Sequence, residues 1–320
     1  MKKIALFLIL CCLSQLQAQE LIIPQQTQYL ADNPFSMSPT FAGIGDNARI
    51  RLNGLAQWIG IKDSPINQSL AADFRIADRS GVGVFFYNDK NGFTRQFGAK
   101  LSFAQHLILD YNSEQYLSLG ISFNFNHFRL STDEFFPNSE LNQFVNGDRT
   151  NQNYNFDIGF LYRNKDFYLS YNASNVLPKD IRETNFQLEP NLILNHQVYL
   201  GTKIRRKASN FEIEPSALIQ YFQSDGRSTT DLNVKFKKHF YEDYVWLGAT
   251  VRFLNEQSLT PVTVGPMVGF RKNNFYFGYS YQINTNELLS YNAGTHMITL
   301  GFDFLQGLSN CPCTQNRIVY

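Results

Sequence analysis

Residues 153–174 read NYNFDIGFLYRNKDFYLSYNAS, and their alternation decides the fold. Tyr154, Phe156, Ile158, Phe160 and Tyr162 fall on one parity, with Asn155, Asp157, Gly159, Leu161 and Arg163 on the other. A period of two puts alternate side chains on opposite faces of a strand. After Asn164-Lys165-Asp166 the pattern resumes, with Phe167, Leu169, Tyr171 and Ala173 against Tyr168, Ser170, Asn172 and Ser174. Two alternating runs joined by a short polar turn form a hairpin. One face is aromatic and aliphatic without a charge; the other is small and polar. In a soluble sandwich the apolar face meets a second sheet, and in an outer-membrane barrel it meets lipid.

The same alternation runs outward in both directions. It begins at Arg49, with Ile50, Leu52, Ala56 and Trp58 opposed to Arg49, Arg51, Asn53 and Gln57. It returns at 68–76, 82–86, 97–103 and 117–125. Beyond the hairpin it returns at 198–204, 211–221, 232–236, 245–253, 262–270, 275–281 and 298–304. This gives roughly fourteen strands, an even number as bacterial barrels have. No segment shows a 3.6-residue period.

Three features favour lipid over a second sheet. No Lys, Arg, Asp or Glu lies on the apolar parity of these runs, while the other parity holds Arg51, Asp73, Lys100, Asp157, Arg163, Lys203, Glu212, Lys235 and Arg252. A charge facing lipid at mid-depth costs about 2–4 kcal/mol. Glycines recur on the polar parity, at Gly98, Gly120, Gly159, Gly201, Gly248, Gly265, Gly278 and Gly301, which suits an interior where facing walls approach closely. Connections also alternate: the tight 164–166, 206–210 and 272–274 follow even-numbered strands, and the long 129–152 and 175–194 follow odd-numbered ones. Short periplasmic turns and long external loops have this parity. Pro215 and Pro266 oppose the reading, since each falls inside a strand of a sheet without edges. Trp58, Tyr154, Tyr162, Tyr171 and Tyr281 lie near strand ends, as girdle residues do. The fold expected is all-β, a transmembrane antiparallel β-barrel of the outer membrane.

Composition agrees. The 320 residues carry 28 Lys+Arg against 27 Asp+Glu, which leaves no basic field for nucleic acid. Charged residues are 17% and aromatics 15%, where a soluble domain holds about 25% charged residues. Mean hydropathy is still negative, because half of each strand is polar. Residues 1–18 read as a secretory signal peptide, with Lys2 and Lys3 before an apolar core and Gln17-Ala18 at the cleavage end. That core is roughly ten residues long, too short to span a bilayer. Residues 19–46, broken by Pro24, Pro34 and Pro39, read as an irregular periplasmic segment, 47–305 as the barrel and 306–320 as a periplasmic tail.

The search for chemistry returns little. There is no HExxH, GxSxG, phosphate-cradling glycine loop or CxxC pair. His106, His127, His196, His239 and His296 are scattered without ligand spacing, so neither metal, cofactor nor catalytic residue is expected. Cys11 and Cys12 leave with the signal, so no disulfide framework exists. Cys311-Pro312-Cys313 admits a disulfide, a metal pair or a periplasmic redox contact, and the plain reading is a tail motif.

Several motifs resemble those of one family. Gln26-Thr27-Gln28-Tyr29, Asn33-Pro34 and Ser38-Pro39-Thr40-Phe41-Ala42-Gly43 are similar to the mature start of the PorP/SprF family of Bacteroidetes outer-membrane proteins. Gln57-Trp58-Ile59-Gly60-Ile61, with Ser64-Pro65-Ile66-Asn67-Gln68-Ser69-Leu70, resembles its QWVGIDGAPxTQSL signature, and Asn88-Asp89-Lys90-Asn91-Gly92 its NDxxG landmark. The hairpin resembles its FGLGLYYxxDxFYxGLSxxNL stretch, and Gly294-Thr295-His296-Met297-Ile298 sits where a GSHEI-like element precedes the last strand. Asp63-Ser64-Pro65, Ser38 and Met297 depart from the usual residues.

The resemblance implies a non-enzymatic part of the type IX secretion and gliding-motility apparatus. Such a part helps export, or holds at the surface, large proteins with a C-terminal sorting domain. A two-ended adaptor is then expected, with Tyr29, Pro34, Phe41, Gly43 and the tail on secretion-machinery subunits. Trp58, Gly60, Pro65, Gln68, Asn88, Asp89, Lys90 and Gly92 would hold the secreted partner, with Trp58 as anchor or as a girdle residue among lipid headgroups. The alternatives are a passive porin and a lipid-modifying enzyme, for which no nucleophile stands out.

Overall fold

The computed structural model describes residues 28–131, 149–178, 194–206, 210–224, 226–241, 243–257, 260–305 and 309–315. Its strands are β1 Asn47–Ala56, β2 Ile66–Ala77, β3 Ser80–Asn91, β4 Thr94–Asp110, β5 Gln115–Leu130, β6 Arg149–Asn164, β7 Phe167–Ser174 and β8 Asn195–Thr202. They continue as β9 Ile204–Arg206, β10 Phe211–Phe222, β11 Ser228–Phe240, β12 Asp243–Leu254, β13 Pro261–Lys272, β14 Phe275–Asn284 and β15 Thr295–Leu305. Neighbours in the chain pair antiparallel, and β1 pairs with β15, so the sheet closes on itself. β8 and β9 flank the same side of β10 and form one stave, which makes this a 14-strand outer-membrane barrel.

The prolines fit without a free edge. Pro215 pairs with Val234 on β11, while on the opposite flank pairing stops at Ser216–Gly201 and resumes at Ile213–Ile204 with no change of register. Proline has no N–H to give, so the ladder skips there, which is why β8 and β9 are separate. Pro266 likewise pairs with Ala249 on β12 and leaves a gap towards β14 between Val264–Ile283 and Met267–Ser280.

The two faces of the wall follow the predicted parity. Leu101 on the outer face is 58% exposed, whereas Asp157 on the inner face is 2% exposed. Phe74, Phe86, Phe103, Leu119, Ile158, Leu247 and Ile298 also face outward, where hydrocarbon covers them in the membrane. The strands outrun the stretches of clean alternation. Their ends carry Lys90, Arg95 and Arg129 outward at one rim, and Lys238 and Lys272 at the other. Lys238 lies over the rings of Phe211 and Phe240 at 5.4 and 5.3 Å, as a snorkelling lysine does.

Both termini of the barrel wall share one end with the tight turns 78–79, 165–166 and 273–274, and in an outer-membrane barrel that end is periplasmic. The other end carries the longer connections, although 92–93 between β3 and β4 is as short as a turn.

The interior departs from expectation. Described residues of the 19–46 segment do not hang below the barrel; they run inside it. Three 3-10 turns, Gln28–Leu30, Pro34–Ser36 and Pro39–Phe41, form a plug. Tyr29, Leu30, Phe35, Met37 and Phe41 pack with Leu161, Tyr168, Tyr199, Leu218, Trp246, Met267, Tyr276 and Met297 of the inner wall. The bore thus contains a hydrophobic core. Some inner-face glycines make room for that segment, while Gly98, Gly201, Gly248, Gly265 and Gly301 make room for residues of the wall itself. A Cβ at Gly81 would lie 2.1 Å from Ala42 O, and one at Gly83 would lie 2.3 Å from the Phe35 ring. Gly120 and Gly159 in the same way face Thr40 and Ser38.

Candidate functional site

The plug is fixed by charge as well as by packing. Tyr29 Oη donates to Asp231 Oδ2 at 3.2 Å and accepts from Asn233 Nδ2 at 3.0 Å. Arg252 clamps the same carboxylate through two bonds of 2.6 and 2.7 Å, a bidentate geometry that holds the acceptor still. The Tyr29 ring stands edge-on to Tyr199, centroids 5.3 Å apart. Asp32, at φ 51°, meets Lys235 Nζ at 2.7 Å, Lys237 Nζ at 3.5 Å and Tyr244 Oη at 2.9 Å. Burial alone would raise its carboxyl, but the two ammonium groups hold it well below the usual carboxylate range. Lys235 and Lys237 in turn sit 4.6 and 4.4 Å over the rings of Trp246 and Tyr244.

Lower in the bore, Pro34 opens the turn that buries Phe35. Phe41 is buried, its ring 6.5 Å from Tyr199, and its carbonyl accepts from Arg49 Nη2 at 3.4 Å. Gly43 N donates to Asp73 Oδ2 at 3.0 Å, with φ at 74° and Gly81 close against it. Tyr29, Phe41 and Gly43 are therefore lumen anchors, and this corrects their placement on a machinery-facing surface. A surface contact needs exposed side chains, and these are spent on the wall.

The second group of candidates gathers at the long-loop rim. Gln68 pairs with Asn88 across β2 and β3, and Asn88 Nδ2 donates to Gln68 Oε1 at 3.2 Å. Arg95 Nε donates to Asn88 Oδ1 at 2.9 Å, and Gly92 N to Asp63 O at 3.1 Å. Trp58 is half-buried at φ 49°, its carbonyl accepting from Ile61 N at 3.0 Å. Pro65 is buried and its carbonyl accepts from Gln57 N at 2.9 Å. Gly60 and Gly92 take φ of 104° and 58°, backbone that glycine adopts at least cost. Lys90 is exposed, while Asp89 follows the inward parity opposite Asn67. The motifs 57–70 and 88–92 thus form one hydrogen-bonded patch. Ile59 also exchanges backbone bonds with Ala293 and Gly294, at 2.7 and 3.1 Å, which ties in the loop before β15. The patch and the plug touch where Gln28 Nε2 donates to Asn67 Oδ1 at 3.0 Å.

Sequence reasoning missed the receptors of the plug: Asp231, Lys235, Lys237, Tyr244 and Trp246. The available signal was the inward pair Lys235 and Lys237, although Glu214 and Glu212 stand opposite them across the β10–β11 ladder. Among the described residues no group of three His, Cys, Asp or Glu side chains is arranged to hold a metal.

Residues 18–302 match the family described as type IX secretion system membrane protein PorP/SprF. The chain belongs to this family. Among curated proteins none matches it. Its backbone is similar to a solved structure titled the CymD monoaromatic hydrocarbon channel, at a TM-score of 0.55 and 9% identity over 87% of this chain and 94% of that one. The outer membrane protein Omp33 of Acinetobacter baumannii gives a TM-score of 0.44 at 10% identity, over 82% and 100% of the two chains. The likeness to the first concerns fold alone. Membership and barrel together make this PorP/SprF chain an integral outer-membrane protein of the type IX secretion class.

Proposed function

We propose that this PorP/SprF barrel works as a closed adaptor of the secretion system, assisting export or surface anchoring of large proteins with a C-terminal sorting domain. The observation that carries this reading is the occupied bore. Withdrawing the plug would uncover Tyr29, Leu30, Phe35, Met37 and Phe41, each worth about 1.5–3 kcal/mol of burial. It would also break the ion pairs of Lys235 and Lys237 with Asp32. A conduit for solutes or cargo has no use for so costly a filling, whereas a platform gains rigidity from it.

The rim patch then offers the contact surface on the outside, with half-buried Trp58 as its aromatic anchor. Machinery subunits would meet the exposed short turns, since the N-terminal motifs are committed to the bore. The wild-type protein in planar bilayers should show almost no conductance, and affinity capture from its own membrane should recover machinery subunits or one large surface protein. Steady porin-like current together with an empty capture would refute the adaptor.

A further inference from the structure

The C-terminal tail has no part in the rim or in the plug's main anchors, yet it is tightly placed. Ser309, Cys311, Cys313 and Thr314 are buried. Cys311 begins the 3-10 turn Pro312–Thr314 and is disulfide-bonded to Cys313. Contacts leave this knot towards three parts of the wall and towards the segment just before β1. Asp78, in the β2–β3 turn, accepts at its carbonyl from Ser309 Oγ and Thr314 Oγ1, both at 3.0 Å, and at Oδ1 from Asn310 N at 3.0 Å. Gly45 N donates to Thr314 O at 2.8 Å. Cys313 Sγ lies 3.9 Å from His106 O on β4. Arg163 on β6 donates to Cys313 O.

Two of these partners also hold the plug. Gly45 lies two residues past Gly43, just before β1, and His106 Nε2 is 3.0 Å from Ala42 O. The tail therefore spans the short-turn mouth from β2 to β6 and meets the plug where it leaves the bore. Its anchors are single hydrogen bonds, each competing with water. Closing a three-residue ring in the tail removes freedom from the undocked state, which favours docking by about tenfold in the chain-entropy account.

We propose that Cys311 and Cys313 are a thiol-oxidation site, a latch set by exchange with the disulfide of an oxidising partner protein. The thiolate of one cysteine attacks a sulfur of the donor disulfide, forming a mixed disulfide and releasing one donor thiol. The second cysteine attacks the first, which forms the Cys311–Cys313 bond and releases the other donor thiol. Two electrons and two protons pass from the cysteines to the donor, so the exchange balances. The step takes place on the undocked tail, because both sulfurs are buried once the knot is seated. The tail follows β15 and meets partners from β2 to β6, so the latch straddles the β1–β15 seam where the cylinder closes.

The test uses the full-length protein. Acid-quenched membranes are alkylated and the thiol state of Cys311 and Cys313 is read by mass spectrometry; both are expected to be oxidised. Hydrogen exchange in lipid nanodiscs is then compared between wild type and the double variant Cys311→Ser/Cys313→Ser. Exchange should rise about tenfold in peptides covering 43–46 and 309–315 and stay unchanged in β4 and β5. Asp78→Ala, which keeps both cysteines and loses the carboxylate bonds to Asn310, should speed the same peptides and expose the disulfide to added dithiol. Free thiols in native membranes would overturn the proposal, as would unchanged exchange of those peptides in both variants.

Discussion

The plug and the rim patch both carry residues that resemble family motifs, and their surroundings could hardly differ more. Tyr29 and Phe41 are buried, with Tyr29 Oη bonded to Asp231 far along the sequence and Phe41 O to Arg49 of β1. Ile59, Gly60, Lys62 and Lys90 are exposed, and the patch bonds mainly to itself. A motif in the bore is thus explained by packing, and a motif at the rim is not. Recurring residues within one resemblance can answer to two different physical demands.

Substitutions can break that contrast. The largest effect is expected for Gly81→Leu, whose side chain would run into the Ala42 backbone. Overpacking against main chain should cost more than about 5 kcal/mol, the exceptional range for a single substitution, seen as loss of the heat-resistant folded band on electrophoresis. Phe35→Ala, which empties a buried ring site, should cost about 3–5 kcal/mol in a denaturant titration. A rim-like response at either position would mean the plug is not part of the core.

Asp32 sharpens the comparison through pH. Its folded value is depressed below the ordinary 3.8, so its stabilisation is complete above that value and drains away as pH falls below it. Wild type should therefore lose melting temperature more steeply than Asp32→Asn as pH is lowered from 5 to 2. Parallel curves would remove the lysine pair as the plug's electrostatic anchor. The smallest change in stability belongs to Trp58→Ala, within about 0.5–1 kcal/mol. The same variant should weaken partner capture tenfold or more, as expected of an aromatic anchor.

What could be read in advance follows from the range of the forces involved. The wall was legible because strand alternation is local, and one face excludes charge over the mid-depth of the membrane. Even Pro215 and Pro266 contradicted the barrel only on the assumption that every ladder position must be bonded. The plug was not legible. Residues 28–43 have no period, and the partners of Tyr29 and Asp32 lie about two hundred positions away. The inner-face glycines announced a close approach but not by what, and Gly81 and Gly83 stood out only once Ala42 and Phe35 were beside them. The rim patch was half legible: neighbouring strands bring 68 and 88 together, while the bonds from Ile59 to the loop before β15 close the cylinder and have no local sign.

The span between Asp32 and Lys235 has a consequence for biogenesis. Tyr29 and Asp32 must wait for β11 and β12 before they find their seats, and such distant contacts slow assembly. Until then Tyr29 and Asp32 lack their partners, although Phe35 and Phe41 can already meet Gly83 of β3 and Tyr199 of β8. A chain truncated before residue 228 would leave Tyr29 and Asp32 without those seats for good. Periplasmic chaperones and proteases should therefore recognise an incomplete copy by its front end, long before they sense the missing back.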